Sequence, residues 1–152
     1  MKESKLNTIE IYFDGASRGN PGISGAGWVV RINKLDIEGH IFLDKKTNNQ
    51  AEYTGLIKAL EEALIHVEEK TKEETQLLIR GDSELIMRQL KGEYAVKSPK
   101  LKPLYQRVKT LLNEFPYWEC NWIPREENKK ADALANFAID DFINSRRILS
   151  KK

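Results

Sequence analysis

The stretch Thr8-Ile-Glu-Ile-Tyr-Phe-Asp14 decides the fold, because it is rich in β-branched and aromatic residues and predicts an opening strand. Gly15–Gly22 follows it as a cluster of glycine, asparagine and proline, which predicts a turn. Two further strands are predicted at Ala26–Ile32 and Ile37–Leu43, and the short Asn33–Asp36 link between them is typical of a hairpin. We therefore expect the first three strands to be sequential and antiparallel.

Helical and strand patterns alternate through the rest of the chain. Apolar residues recur at three- and four-residue spacings from about Asn49 to Glu69 and predict a long helix. Leu77, Leu78 and Ile79 form an apolar run within a predicted strand, Gln76–Arg80, which suits a central strand buried on both faces. The later elements are predicted as a short helix capped by Asp82-Ser83 and ending at Leu90, a helix over Lys100–Phe115, a strand over Tyr117–Ile123 and a helix over Asn128–Phe142. The order βββ-α-β-α-α-β-α predicts an α/β fold, with helices on the faces of a mixed sheet.

The composition is that of one charged globular domain with an uneven charge distribution. The 152 residues include 25 Lys and Arg against 23 Asp and Glu, and this net charge of +2 argues against a strongly basic nucleic-acid binder. Met87–Lys109, however, carries seven basic residues and one acid, whereas Glu61–Glu74 carries six acids and two lysines. The single Cys120 excludes an intrachain disulfide, and no stretch has the apolar length of a signal peptide or a membrane span. We expect a cytoplasmic protein.

Four acidic residues fall at the ends of predicted elements: Asp14, Glu52, Asp82 and Asp132. Groups beyond the carboxyl ends of central strands gather at one rim of an α/β sheet, where sites form. Four carboxylates on one rim would repel each other unless a cation lay between them, and Mg²⁺ takes oxygen ligands of this kind. Each acid alone has an ordinary structural explanation as a turn former, a helix cap or a charge favoured by a helix dipole. Only the combination points to a metal site.

Four stretches that contain these acids resemble the motifs of the type 1 ribonuclease H family. They are Asp14-Gly-Ala-Ser-Arg-Gly-Asn-Pro-Gly22, Thr47-Asn-Asn-Gln-Ala-Glu52, Gly81-Asp82-Ser83 and Trp122-Ile-Pro-Arg-Glu-Glu-Asn-Lys-Lys-Ala-Asp132-Ala-Leu-Ala. The resemblance implies one catalytic domain over residues 1–152, with a core at about 8–142 and a basic C-terminal tail at 143–152. It implies a ribonuclease H-like sheet of five strands, three antiparallel and then parallel, flanked by about four helices.

The same resemblance implies an activity and a cofactor. The family hydrolyses the RNA strand of RNA–DNA hybrids and leaves 5′-phosphate and 3′-hydroxyl ends. Two divalent ions, Mg²⁺ or Mn²⁺, would be held by the four acids, one activating a water and the other stabilising the leaving oxygen. No covalent intermediate is needed, so Cys120 is interpreted as a packing residue.

Substrate contacts also follow from the resemblance. The residues implied are Gly15, Ala16, Asn20, Thr47, Asn48, Asn49, Gln50 and Ser83, with Lys45 as a further candidate. Asn20, Asn49 and Gln50 would face the hybrid, and backbone groups near Gly15 and Ala16 would read RNA sugars. Thr47, Asn20 and Lys45 would form a pocket for a DNA phosphate. Asn20 is equally a turn residue before Pro21, and Lys45 equally belongs to an ordinary solvated loop.

The chain departs from the family pattern in two places. Many bacterial members have a histidine in the loop before the last aspartate, but no histidine lies between Ile123 and Asp132. Arg125 is the candidate for that role; it cannot act as a base, so it would bind phosphate or help product leave. A salt bridge to Glu126 or Glu127 is the alternative.

The second departure is a short segment after the third acid, where some members carry an extra basic helix. Lys97, Lys100 and Lys102 lie there and are candidate contacts to nucleic acid, with a solvated helix face as the alternative.

We expect an RNA–DNA hybrid as the partner, no membrane association, no obligate protein partner and a monomer. Two alternatives stay open at this point. One is a related nuclease of broader substrate range that also cuts double-stranded RNA. The other is a hybrid-binding module without catalysis, which the presence of all four acids disfavours.

Overall fold

A single five-stranded sheet forms the centre of the protein in the computed structural model, which describes residues 7–67 and 71–150. The strands lie in the order β3-β2-β1-β4-β5. Their bounds are β1 Asn7–Arg18, β2 Gly22–Ile32, β3 Leu35–Lys46, β4 Thr75–Gly81 and β5 Tyr117–Trp122. β1 pairs antiparallel with β2, as does β2 with β3, whereas β4 runs parallel to both β1 and β5. The predicted mixed sheet, three antiparallel strands followed by parallel ones, is confirmed.

Four α-helices cover the sheet, which also agrees with the prediction. Their bounds are α1 Asn48–His66, α2 Glu84–Leu90, α3 Lys102–Leu112 and α4 Lys129–Ser150, with short 3₁₀ turns at Lys72–Glu74 and Arg125–Glu127. α1 packs on β1 and β2 and against α3, whereas α4 crosses β1, β2 and β3. Ala26 and Gly27 are neighbours in β2 and therefore face opposite sides of the sheet. A Cβ on Gly27 would strike the backbone of α4, whereas the side chain of Ala26 lies close to Gly55 of α1, so the two helices cover opposite faces. Among the described residues, none of the helices is both long and apolar enough to cross a membrane.

The larger core lies between the sheet and the helices α1 and α3. Ile11 and Phe13 of β1, Leu77 and Ile79 of β4 and Leu56 of α1 are each at most 1% exposed. Alternate residues of β4 are buried against this core, and Leu78 between them is only half-buried. The expectation that β4 is buried on both faces is therefore wrong, because the helix on the second face, α4, packs mainly on β1, β2 and β3.

The predicted turn at Gly15–Gly22 is mostly strand. β1 continues to Arg18, which pairs with Ile23 of β2, so that only the residues 19–21 form the turn. Gly15 is needed for a different reason: a Cβ there would lie 2.4 Å from the backbone N of Glu52. The glycine lets α1 approach β1 closely, and this approach brings Glu52 beside Asp14.

Helix ends differ most from the sequence-based expectation at α4, which continues to Ser150 instead of ending at Phe142. The ring of Phe142 stacks on Phe42 of β3 at 3.8 Å between centroids, so the helix is still packed on the sheet at that point. The predicted tail at 143–152 is thus helical through Ser150, and Lys151 and Lys152 lie outside the described residues. α1 ends at His66, and Glu69, where it was expected to end, is also outside the described residues. α3 is shorter than predicted by two residues at its start and three at its end.

Candidate active site

Two of the four acids are brought together by the parallel pairing of β1 and β4. Tyr12 of β1 pairs with Arg80 of β4, and Asp14 and Asp82 each follow that pair by two residues. Because the strands run in the same direction, both carboxylates emerge at the same rim of the sheet.

The other two acids arrive on helices that begin at the same rim. Glu52 lies near the start of α1, whose first turn is fixed by a capping box: Thr47 accepts from the N–H of Gln50, and the Gln50 side chain accepts from the N–H of Thr47. Asp132 lies in the first turn of α4, where its N–H donates to the carbonyl of Asn128.

Three of the four carboxylates form a tight cluster. One carboxylate oxygen each from Asp14, Glu52 and Asp82 lies within 4.8 Å of the other two. They line an open cleft of about 500 Å³ together with Asp132 and Arg125. The charged side chains of this cleft, among the described residues, are four carboxylates and one guanidinium.

Burial and mutual repulsion make the ionised form of this cluster unfavourable. Asp14 is only 6% exposed, and burial raises its pKa to about 8, with repulsion from Asp82 adding to the effect. Burial and then repulsion from Asp14 raise the pKa of Glu52 to about 8 as well. Burial raises the pKa of Asp82 too, and the hydrogen bond from Asn128 is the largest effect in the opposite direction. A cation between these oxygens would relieve both the desolvation and the repulsion.

The donor set fits a hard divalent ion. All the charged ligands are carboxylate oxygens, which Mg²⁺ and Mn²⁺ prefer, and the cleft is open enough to leave positions for water and a phosphate. Oxygens bound to one Mg²⁺ at about 2.1 Å lie at most about 4.2 Å apart, so the observed cluster needs only a small contraction.

Asp132 is not part of the tight three-carboxylate cluster, but its carboxyl group interacts with Asp14 and contributes to the raised pKa of Asp14. The Asp132 carboxylate accepts from the side-chain N–H of Asn136 at 3.2 Å, and a guanidinium nitrogen of Arg125 lies 3.9 Å from the same Oδ1. Arg125 is largely exposed, with 78% of its side chain accessible. The alternative of a salt bridge from Arg125 to Glu126 or Glu127 is not observed; the ion pair of Arg125 is with Asp132.

The predicted substrate residues divide into two groups. Gly15, Ala16, Asn48 and Asn49 line the cleft beside the acids. The others are not among its lining residues: Asn20, Thr47, Gln50, Ser83, Lys45, Lys97, Lys100 and Lys102.

Several of the second group have local structural duties. The Asn20 side-chain oxygen accepts from the N–H of Asn48 at 3.1 Å and so joins the turn between β1 and β2 to the start of α1. Ser83 caps α2 by accepting from the N–H of Ile86. The four lysines in this group are all exposed: Lys45, Lys97, Lys100 and Lys102.

Sequence reasoning missed three residues at this site: Ser17, Asn136 and Asn128. Ser17 and Asn136 line the cleft, and Asn136 lies one helical turn after Asp132, a spacing that could have identified it. Asn128 is 1% exposed, and its side-chain N–H₂ donates to the carbonyl of Phe13 at 2.9 Å and to Asp82 at 3.4 Å. No local pattern signals these contacts, since they join positions 115 and 46 residues apart.

Comparisons with known proteins agree with this geometry. A profile of the family described as "Reverse transcriptase-like" matches residues 12–138. The chain is 42% identical over 135 residues to Ribonuclease HI of Halobacterium salinarum, covering 88% of this chain and 65% of the relative. It is 36% identical to the bifunctional protein Rv2228c of Mycobacterium tuberculosis, over 87% of this chain and 35% of that protein. The chain therefore spans less than two thirds of these curated relatives.

Among solved structures, LC11-RNase H1 in complex with an RNA/DNA hybrid superposes with a TM-score of 0.79. It is 39% identical, and the match covers 89% of this chain and 99% of that one. The profile match spans all four acids, the sequence match and the superposition each cover most of the chain, and the chain belongs to the type 1 ribonuclease H family.

Proposed function

We propose that the protein is a divalent-metal-dependent endoribonuclease that hydrolyses the RNA strand of RNA–DNA hybrids. The convergence of Asp14, Glu52 and Asp82 within 4.8 Å, in an open cleft that Asp132 also lines, carries this proposal. Ionising this buried carboxylate cluster destabilises the folded protein, and a bound metal ion would offset that cost. The related LC11-RNase H1, solved with an RNA/DNA hybrid, supports the choice of substrate.

In this proposal the four acids hold two Mg²⁺ ions, with Mn²⁺ as a substitute. Such ions lower the pKa of an attacking water and stabilise the leaving oxygen of the phosphodiester. The protein contributes the fixed carboxylates: Asp14 from a strand, Asp82 from the end of the adjacent strand, and Glu52 and Asp132 from helix starts. Hydrolysis leaves a 5′-phosphate and a 3′-hydroxyl, and no side chain forms a covalent bond to the substrate.

Discrimination of RNA from DNA falls to polar groups beside the acids. A protein can distinguish RNA by contacts to 2′-hydroxyls across the shallow minor groove. Asn48 and Asn49 present carboxamides, and Gly15 and Ala16 present backbone groups, along the same cleft as the carboxylates. In our proposal these groups read the sugars next to the scissile phosphate, and Gln50 makes a further contact beyond the cleft.

The grip on the DNA strand is proposed for the turn between β1 and β2. Asn20 is tied to the start of α1 through the N–H of Asn48, beside the cap residue Thr47. A phosphate pocket made by Asn20, Thr47 and Lys45 would therefore be fixed to the helix that carries Glu52. Ser83, the residue after Asp82 and the cap of α2, is proposed as a further contact to the substrate.

Arg125 takes the place of the loop histidine in this proposal. It cannot remove a proton, but its exposed guanidinium at the cleft can bind a phosphate of the substrate or the product. Its guanidinium lies 3.9 Å from Asp132, beside the carboxylates of the cleft. A monomer in the cytoplasm remains our prediction for the state and place in which the enzyme acts.

The test is cleavage of hybrids labelled separately on each strand, with Mg²⁺ and with a chelator. Only the RNA strand should be cut, only with metal, and the products should carry 5′-phosphates. Asp82→Asn should bind the hybrid without cutting it. Metal-independent cutting would contradict the proposal, and cutting of double-stranded RNA at a similar rate would favour the nuclease of broader range.

A further inference from the structure

The buried side chain of Asn128 contacts two of the acid-bearing segments, at Phe13 and at Asp82. Asn128 lies between the 3₁₀ turn Arg125–Glu127 and α4, and it is 1% exposed. Its backbone carbonyl accepts from the N–H of Asp132, and its side chain reaches back to the sheet.

The orientation of the Asn128 carboxamide is fixed by its neighbours. Both groups within reach on one side are acceptors: the carbonyl of Phe13 at 2.9 Å and a carboxylate oxygen of Asp82 at 3.4 Å. Only the –NH₂ end can face them, because the flipped amide would set an oxygen against two oxygens. The Phe13 carbonyl therefore holds the amide, and the amide then donates to Asp82.

This orientation has a cost at the other end of the amide. The Asn128 side-chain oxygen is buried and has no hydrogen-bond partner among the described residues. A buried acceptor without a partner is expensive, and a native structure rarely keeps one without a reason. An apolar residue of the same size would avoid this cost but could not donate to Asp82.

We propose that Asn128 is the positioning residue that aims the Asp82 carboxylate at the metal cluster. Phe13 directly precedes Asp14, so the same amide ties the backbone of the first acid to the side chain of the third. The inference rests on the proposed metal site. Mutation of residues that orient metal ligands in this way typically lowers metal affinity or activity by about 10- to 100-fold.

The experiment measures binding of Mn²⁺ alone by titration calorimetry, without substrate. Asn128→Leu keeps the branched shape and the number of heavy atoms of the side chain and removes the donor. The matched control is Gln89→Met, which also replaces a buried amide by an apolar side chain, at a site where Gln89 accepts from Tyr53. Thermal unfolding of both variants measures any general loss of stability.

Asn128→Leu should weaken Mn²⁺ binding about 10- to 100-fold, and Gln89→Met should leave it within about twofold of the parent. In an Asp82→Asn background the additional loss from Asn128→Leu should shrink to less than about threefold, because the residue acts through Asp82. The hybrid KM should stay unchanged, and raised Mn²⁺ should restore part of the lost turnover.

Equal Mn²⁺ affinity in the parent and Asn128→Leu would overturn this inference alone. Absence of Mn²⁺ binding by the parent would overturn the proposed function and the inference with it. If Asn128→Leu does not fold, Asn128→Ser gives the same test, since its hydroxyl is too short to keep both hydrogen bonds and must also weaken Mn²⁺ binding.

Discussion

The metal-free protein should lose stability as the pH rises, because its carboxylate cluster resists ionisation. Burial holds the pKa of Asp14 at about 8, against an ordinary value of 3.8 in an unfolded chain. Between pH 5 and pH 7 the folded protein therefore retains a proton that the unfolded chain has already released. Proton release favours the unfolded state in this window, so the free energy of unfolding falls as the pH increases.

One retained proton gives a slope of about 1.4 kcal/mol per pH unit, or about 2.7 kcal/mol from pH 5 to pH 7. We count one proton for Asp14 and Glu52 together, since ionisation of Asp14 raises the pKa of Glu52. For a chain of this length the change corresponds to a fall in Tm of about 5–10 °C. The pKa values of Asp14 and Glu52 are about 8, so the loss of stability should level off above about pH 8.

Thermal or denaturant unfolding in a chelator, at several pH values, measures this slope. The stability of Asp14→Asn should fall less steeply with pH than that of the parent, by at most about 1.4 kcal/mol per pH unit because Glu52 stays buried, and it should be higher at pH 7. The amide oxygen of this variant can still accept the Gly15 N–H that Asp14 accepts at 2.9 Å. The control is Asp141→Asn, which removes the same charge from an exposed position of α4. Mg²⁺ should stabilise the parent more at pH 7 than at pH 5, as ion and proton compete. Equal slopes for the parent and Asp14→Asn would refute the reasoning.

Three further changes test other parts of the structure. Arg125→Ala should lower turnover about tenfold, the equivalent of one charge-assisted hydrogen bond, and unchanged single-turnover and steady-state rates would remove its role. Replacing Lys97, Lys100 and Lys102 by Gln should make the slope of log K for hybrid binding against log salt concentration shallower by up to about 2.7. An unchanged slope would exclude these lysines as contacts. Gly27→Ala would place a Cβ 2.4 Å from the carbonyl oxygen of Ala131 in α4. It should therefore cost at least about 1–3 kcal/mol in unfolding experiments, and a stability equal to the parent would contradict the packing described.

Part of the acid cluster was predictable from the sequence because two of its residues lie at the ends of predicted strands. Asp14 and Asp82 directly follow strand patterns, and parallel neighbours place such residues on one rim. Glu52 and Asp132 are less distinctive, since an acid near the start of a helix is ordinary by itself, and only their combination with Asp14 and Asp82 pointed to a metal site. The exact end of β1 was not predictable: Gly15 resembles a turn residue, and only the packing of α1 shows that it is required for close approach.

The supporting contacts were less accessible to sequence reasoning. Asn128 is joined to Phe13 and Asp82 only through the tertiary fold, and nothing in its local sequence distinguishes it from a polar residue before a helix. The extension of α4 beyond Phe142 has a similar cause. Its last turns follow a helix already anchored on β3 by the Phe42–Phe142 stack, whereas the charged sequence alone suggests a loose terminus.

The most direct test of the account is a metal titration of RNA-strand cleavage for the parent and Glu52→Gln, with hybrid binding measured in the same samples. Glu52→Gln removes one carboxylate of the 4.8 Å cluster while keeping the length of the side chain. The account predicts that the parent cuts only RNA, with a rate that rises with Mg²⁺, and that Glu52→Gln binds the hybrid but loses at least about 10²-fold in rate. Cleavage by Glu52→Gln at the parent's rate, or cleavage by the parent without metal, would contradict it.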